Sequence, residues 1–302
     1  MENKDLLKGI IIPNVTALVV TFLLQFLRRN SIMETIFISS MFTILPIIMG
    51  LISAYHWQKL NLGSKKKLKY SVYTCLILLV MSAFSIGEGY ICLLIVSPLV
   101  YVCIITGVFI GKFIYEKKNN KLNMSIGTLL FVLFIGDAFS NHEHKRMITD
   151  EIIIHATPEK VWSHVVAFEP ITEPPQYWLL QIGMPKPIAT TVEGYYAGAG
   201  RKCIFNDGIL FKEKMVVFDP GKDLTFDITE QPNDPEILGH IEITRGQFLL
   251  KANPDGTTTL QGNSWYSLLV FPSWYYDLWA ESITRNVHIR VMEHVKYLSE
   301  KQ

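Results

Sequence analysis

The sequence predicts a two-part chain: an all-α transmembrane domain of four to five helices over residues 1–146, then an α+β domain over residues 147–302 whose bent antiparallel sheet wraps one long C-terminal helix. Three observations lead there. Of the 302 residues 49% are hydrophobic and 18% charged, a balance too apolar for one ordinary soluble globule. The charge also changes sign along the chain: 15 Lys/Arg stand against 7 Asp/Glu up to Arg146 and 13 against 20 beyond it, so halves of +8 and −7 hide behind a net +1. Finally, long apolar runs give way near Met147 to short runs punctuated by Pro and Gly.

A spanning helix needs roughly 20 mostly apolar residues. Four stretches meet that in quick succession: Gly9 to Leu27, Thr35 to Trp57, Tyr70 to Gly87 and Gly89 to Gly111. The first is long, ends in Arg28 and Arg29, and lacks a small-residue cleavage site, so it reads as an anchor rather than a removable leader. A fifth stretch, Leu122 to Ser140, has an apolar centre but carries Asp137 near its end. Pro46 and Pro98 fall within the second and fourth stretches, where a kink is expected. Gly107 and Gly111 form a GxxxG pair suited to close helix contact. Glu88 and Asp137 are the two acidic residues at membrane depth, and both read as loop or interface groups.

Orientation follows from the tendency of basic loops to stay in the cytoplasm. Eleven Lys residues, at the N-terminus and in the loops around Lys65 and Lys117, fall on one side, against Arg28, Arg29, Lys145 and Arg146 on the other. With five spans the C-terminal domain lies outside the cytoplasm, and with four it lies inside; the expectation leans to outside. The integral membrane placement is in a cell membrane either way.

Beyond a polar linker, His142 to Arg146, the elements come in the order strand, helix, strands, long helix. Ile152 to His155 is β-rich. Thr157, Pro158 and Glu159 open a helix to about Phe168, with Thr as the cap and Pro at the first helical position, where its missing N–H costs nothing. Five prolines between Glu169 and Pro187 leave room for one short helix around Tyr177 to Leu180, placed as a lid at the mouth of any hollow beneath. Strands are expected at Ala189 to Tyr196, Arg201 to Asn206, Ile209 to Phe218, Leu224 to Glu230, His240 to Leu250 and Thr257 to Ser267. Asp219-Pro220-Gly221 and Asn253-Pro254-Asp255-Gly256 are turns, so neighbouring strands pair antiparallel. Ser273 to Lys301 is a long amphipathic helix with Ile283, Val287, Val291, Val295 and Leu298 on its apolar stripe. The concave face of the sheet is the surface able to receive that stripe, and a hollow is left between them.

This order, with Ile152 to Trp162 reading as a first strand and an A-x-P-E-x-V-W helix start, resembles the START-like or SRPBCC superfamily. It is closest in texture to its bacterial polyketide cyclase/dehydrase and lipid transport type, in a membrane-anchored form. Gly198 to Gly208 and Trp274-Tyr275 through His294-Val295-Lys296 carry the rest of the likeness, which covers residues 147–302. The resemblance implies a helix-grip fold and a cavity for a hydrophobic small molecule or lipid. It specifies fold more than activity, because lipid carriers, binding modules and cyclases share it.

Strand alternation puts Arg201, Cys203 and Phe205 on one face and Leu224, Phe226 and Ile228 on another, both candidate cavity walls. Tyr177, Trp178, Trp265, Tyr266 and Trp279 are the further aromatic candidates for ligand contact. Arg201 in an apolar pocket either grips an acidic head group or pairs with Glu193, Asp227 or Glu230. No nucleophile elbow, metalloprotease, phosphate-loop or dinucleotide motif occurs. His288 and His294, six apart on the helix, point to different faces and read as surface or satisfied residues, and Cys203 as a buried strand thiol. No metal or cofactor is implied: His142 and His144 lack a third ligand, and no CxxC pair exists. No basic stripe suggests nucleic acid. The expected function is a membrane-anchored binder of a hydrophobic molecule, with a cyclase or aromatase using Arg201 or Tyr266, or a ligand-responsive sensor, as the alternatives.

Overall fold

In the computed structural model the residues described are 2–29, 42–85, 89–116, 144–237 and 239–301. The chain divides into two compact units, Met1–Asn141 and His142–Gln302.

The first unit contains helices α1 (Glu2–Arg29), α2 (Ile44–Trp57), α3 (Ser64–Ser85) and α4 (Tyr90–Glu116). Three helical segments, Asn3–Leu23, Ser64–Ser85 and Tyr90–Tyr115, are long and apolar enough to cross a membrane, whereas α2 is a shorter apolar helix. The expected four to five spans are thus three among the described residues. Residues 35–41 of the second stretch and all of Leu122 to Ser140 lie outside them, as do Glu88 and Asp137. Pro46 is corrected too: it is the third residue of α2, in the first turn, where no intrahelical N–H bond is lost. Pro98 does sit inside α4, and Pro13 inside α1.

The GxxxG pair falls at a helix contact. A Cβ on Gly107 would meet the Ile47 carbonyl oxygen at 2.1 Å, one on Gly50 would meet the Ile104 oxygen at 2.1 Å, and one on Gly111 would meet the Ala54 Cβ at 2.6 Å. Backbone therefore touches backbone between α2 and α4, an approach that only Gly permits. The inward face holds Asn14, Ser53, Ser71 and Thr74, while Ile11, Val15, Val19, Val80, Phe84, Val102 and Phe113 point outward. That distribution suits an apolar solvent.

The second unit is built on one seven-stranded, wholly antiparallel sheet in the order β1-β7-β6-β5-β4-β3-β2. The strands are β1 (His144–Ile154), β2 (Pro187–Val192), β3 (Gly200–Phe205), β4 (Leu210–Asp219), β5 (Asp223–Glu230), β6 (Ile241–Ala252) and β7 (Thr258–Leu268). Between β1 and β2 lie α5 (Pro158–Val166) and α6 (Trp178–Gln181), and the chain ends in the 28-residue α7 (Ser273–Glu300). Register shifts at Lys212/Glu213, Met215/Val217 and Ile243/Arg245 mark bulges, which bend strands. The sheet is curved, and α7 packs against its edges β1 and β2 as well as β7.

The expected strands are present with two changes. β1 starts at His144, so His144, Lys145 and Arg146 of the stretch read as a linker belong to the edge strand, paired with Leu268, Ser267 and Tyr266. β2 stops at Val192, and residues 194–199 form a connection that uses Gly198 at φ 103°. The turns after β4 and β6 need positive φ at Gly221 and Gly256, 77° and 83°, as their Pro/Gly pattern anticipates.

The core gathers Val161 and Val165 of α5, Met215, Leu224, Phe226, Phe248 and Leu260 of the sheet, and Val291, Met292 and Val295 of α7. The buried stripe of α7 is Ala280, Thr284, His288, Val291, Met292, His294, Val295 and Ser299. The helix is thus rotated from the anticipated stripe: Ile283, Val287 and Leu298 are half-buried, and two histidines are turned inward.

Candidate functional site

A cavity of about 100 Å³ lies between the sheet and α7. Its walls include Phe168, Phe205, Phe211, Phe226, Phe248 and Val291, supplied by the connection after α5, by four strands of the bent sheet and by α7. Phe205 packs on Phe211 with ring centroids 4.9 Å apart, and Phe226 stands 6.3 Å from Phe248. At Gly246 a Cβ would come within 2.5 Å of the Phe226 ring, so the missing side chain makes room for the aromatic wall.

Four anticipated wall residues are there: Arg201, Cys203, Phe205 and Phe226 all line the cavity. The other five are not brought to it. Tyr177 lines a separate, larger groove of about 280 Å³ between the Pro-rich segment and α7, with its hydroxyl 2.9 Å from Ser282 Oγ. Trp178 is exposed. Trp265 is out of phase with Ser264 and Tyr266 on β7, and alternation turns it to the other side of the sheet. Tyr266 faces inward but lies further along the strand, in a cluster with Ile148, Leu268 and Ala280, where its hydroxyl donates to Asp277 at 2.9 Å. Trp279 sits near Tyr275 on the first turns of α7, away from the cavity walls.

The Pro-rich segment is pinned rather than free. Arg290 Nη2 donates to the Glu173 carbonyl at 3.0 Å, His294 Nε2 to that of Glu169 at 3.0 Å, and the Ile171 N–H to that of Ile188 at 2.7 Å. Only its ends, Phe168 and Pro187, reach the cavity.

Arg201 is committed to the protein itself. Its Nη1 donates to Glu213, its Nε donates to the Val166 carbonyl at the end of α5 at 3.2 Å, and its guanidinium carbon lies 4.4 Å from the centre of the Phe226 ring. The structural-pair alternative therefore holds, but with a different partner. Glu193, Asp227 and Glu230 instead meet Lys202, Arg245 and Lys212. The inward face of β4 alternates Phe211, Glu213, Met215, and β3 pairs with β4 at Arg201↔Glu213, so cross-strand register selects the nearest buried carboxylate. Burial pushes the Glu213 carboxyl up, and the charge and hydrogen bond of Arg201 pull it back only in part. Burial, then the nearby Glu213, push the Cys203 thiol up to about 12, so the strand cysteine is no nucleophile at neutral pH.

Polar chemistry enters the cavity from a place that motif spacing did not reveal. Ser264 Oγ of β7 is 2.6 Å from His288 Nε2 of α7, and His288 Nδ1 is 3.0 Å from Asp150 Oδ2 of β1. Asp150 Oδ1 also receives a 2.5 Å hydrogen bond from Arg285. Burial tends to raise the Asp150 carboxyl, but the hydrogen bonds and charges of His288 and Arg285 outweigh it and hold the group below its ordinary value. Ser264 and His288 both line the cavity. Gly262, paired with Asp150, leaves the space: a Cβ there would stand 3.0 Å from Met292 Sδ and 3.8 Å from His288 Nδ1. The only sequence signal was a histidine at four-residue spacing from Thr284 and Met292 on the buried stripe of α7.

No protein-family model matches the chain. No curated protein matches it in sequence either. Among solved structures it is similar to truncated norcoclaurine synthase from Thalictrum flavum, with 12% identity and a TM-score of 0.37, over 54% of this chain and 98% of that one. A protein from Nitrosospira multiformis (16% identity, TM-score 0.35) is matched over 50% of this chain and 94% of its own. A Bacillus thuringiensis protein (15% identity, TM-score 0.36) is matched over 52% and 100%.

Proposed function

We propose that this chain is a membrane-anchored binding protein whose C-terminal unit holds a small hydrophobic molecule between its sheet and α7. The observation that carries the reading is the phenylalanine-walled cavity, in which the one guanidinium is already neutralised by Glu213. Ligand pockets are mostly apolar with few polar groups. An apolar cavity of about 150 Å³ accommodates benzene, so this one, at about 100 Å³, takes a short or branched acyl chain as it stands and must widen to take a ring. A whole lipid requires the Pro-rich segment to swing away from α7.

The anchoring half of the reading rests on Asn3–Leu23, Ser64–Ser85 and Tyr90–Tyr115 and on the outward apolar surface of their unit. A tether keeps the cavity near the phase where apolar ligands concentrate. With an odd number of spans, a single Cys at Asn141 is labelled from outside intact cells; protection from label means an even number and a cytoplasmic cavity.

Native mass spectrometry of the full chain released from detergent tests the binding. The wild type is expected to carry a small co-purifying molecule, and Val287→Trp, which fills the cavity from α7, to lose it. An empty wild type indistinguishable from Val287→Trp rejects the proposal.

A further inference from the structure

We infer that Ser264 is a nucleophile, activated by His288 and Asp150, that accepts an acyl group from a small activated ester admitted to the cavity. This deepens the binding reading and rests on it, since the cavity must admit a one-ring ligand first.

The argument starts from proton placement. Asp150 is a carboxylate held on both oxygens, by Arg285 at 2.5 Å and by His288 at 3.0 Å. A carboxylate accepts only, so in the neutral imidazole the proton lies on Nδ1 and donates to Asp150, which leaves Nε2 bare. The one group at Nε2 is the Ser264 hydroxyl, 2.6 Å away, and it must then be the donor. This is the nucleophile, base and orienting-acid order that makes a weak hydroxyl reactive. The three groups come from β7, α7 and β1, each from the middle of a regular element, so the arrangement is rigid.

Burial decides what the arrangement can meet. His288 is 8% exposed and reaches space through the cavity wall that it shares with Ser264, Phe226, Phe248 and Val291. A substrate must therefore be small and apolar around its carbonyl. Ser264 lies between Ile148 of β1 and Gly246 of β6, and the N–H groups there serve the ladder. The ladder thus already engages the backbone donors beside Ser264, where an oxyanion would develop. The leaving group must then supply the driving force, which selects activated esters such as aryl esters and thioesters over amides.

The step balances without a further reactant. Ser264 Oγ adds to the carbonyl carbon while its proton passes to His288 Nε2; the bond from that carbon to the leaving oxygen or sulfur breaks, and the leaving group takes the proton from Nε2. Water repeats the sequence, losing a proton to Nε2 and releasing the acid and the Ser264 hydroxyl.

The test is incubation of the full chain with 4-nitrophenyl acetate, followed by peptide mass spectrometry. One acetyl group on Ser264 is expected, absent in Ser264→Ala, with the acylation rate in His288→Gln lower by roughly 100-fold or more. In parallel, 4-nitrotoluene, the same ring without the ester, reports admission through slowed hydrogen exchange in the Phe226 and Phe248 strands. Slowed exchange with no acetyl on Ser264, or acetylation of other residues alone, overturns the nucleophile and leaves binding standing. Unchanged exchange with no acetyl overturns both. Because the modified residue is located in the unaltered chain, a variant that misfolds does not obscure the result.

Discussion

Replacing Glu213 by Leu tests the electrostatics of the cavity most directly. In the fold Arg201 and Glu213 have side chains 3% and 5% exposed, so water screens neither. Without Glu213, Arg201 retains the Val166 carbonyl and the face of Phe226 but no counter-charge. Removing one member of such a buried pair costs about 3–5 kcal/mol, whereas replacing both with apolar residues of similar volume is often neutral or stabilising. Glu213→Leu should therefore raise the opening equilibrium of the C-terminal sheet by roughly two to three and a half orders of magnitude, and Arg201→Met combined with Glu213→Leu should recover most of that loss. Hydrogen exchange of β3, β4 and β5 peptides in the full chain reads this directly, because the global transition of a two-unit membrane protein is not two-state. Protection in Glu213→Leu within a factor of about five of wild type, or a double variant no better than the single, would refute the reasoning. The first result would mean that water or another group reaches Arg201; the second, that packing rather than charge sets the cost.

Three other outcomes are expected. With its thiol pushed up to about 12, Cys203 in the folded chain should resist iodoacetamide at pH 8 and react once denaturant is added, as followed at its own peptide; rapid labelling of the folded form contradicts the burial. Gly107→Leu, which drives a side chain into the Ile47 carbonyl, should destabilise the helical unit in detergent by about 1–3 kcal/mol, while Val102→Leu on the outward face should not; equal melting of the two would dismiss the close contact. Asp150, held below its ordinary value of 3.8, contributes stability that is complete above that value and lost as pH falls through its lower folded value. Acid unfolding followed by tryptophan fluorescence should then be shallower below pH 3.8 in Asp150→Asn than in wild type. Parallel curves count against the Asp150 linkage.

Much of the architecture was legible from local chemistry. Thr157-Pro158 starts α5, the Pro/Gly turns end β4 and β6, and period-two runs mark the strands, because each of these depends on a few adjacent dihedral angles and side chains. Gly107 and Gly111 were visible as small residues four apart, although their partners on α2, Gly50 and Ala54, were not. Alternation placed Arg201, Cys203, Phe205 and Phe226 on the cavity face for the same local reason. Tyr177, Trp178, Trp265, Tyr266 and Trp279 were chosen as aromatics, and composition says nothing about which side of the sheet, or which end of it, a ring occupies.

What the sequence determined by itself is therefore the division into an apolar and an acidic half, the run of strands closed by a long helix, and the inward parity of β3 and β5. Tertiary structure decided the partners. Glu213 faces Arg201 because β3 and β4 pair in one register, and Asp150, Ser264 and His288 meet although up to 138 residues separate them. Those contacts depend on how far the sheet bends and on the rotation of α7 about its own axis, which turned His288 inward in place of Ile283. Both are set by the packing of the whole core, through many weak contacts that no short stretch of sequence contains.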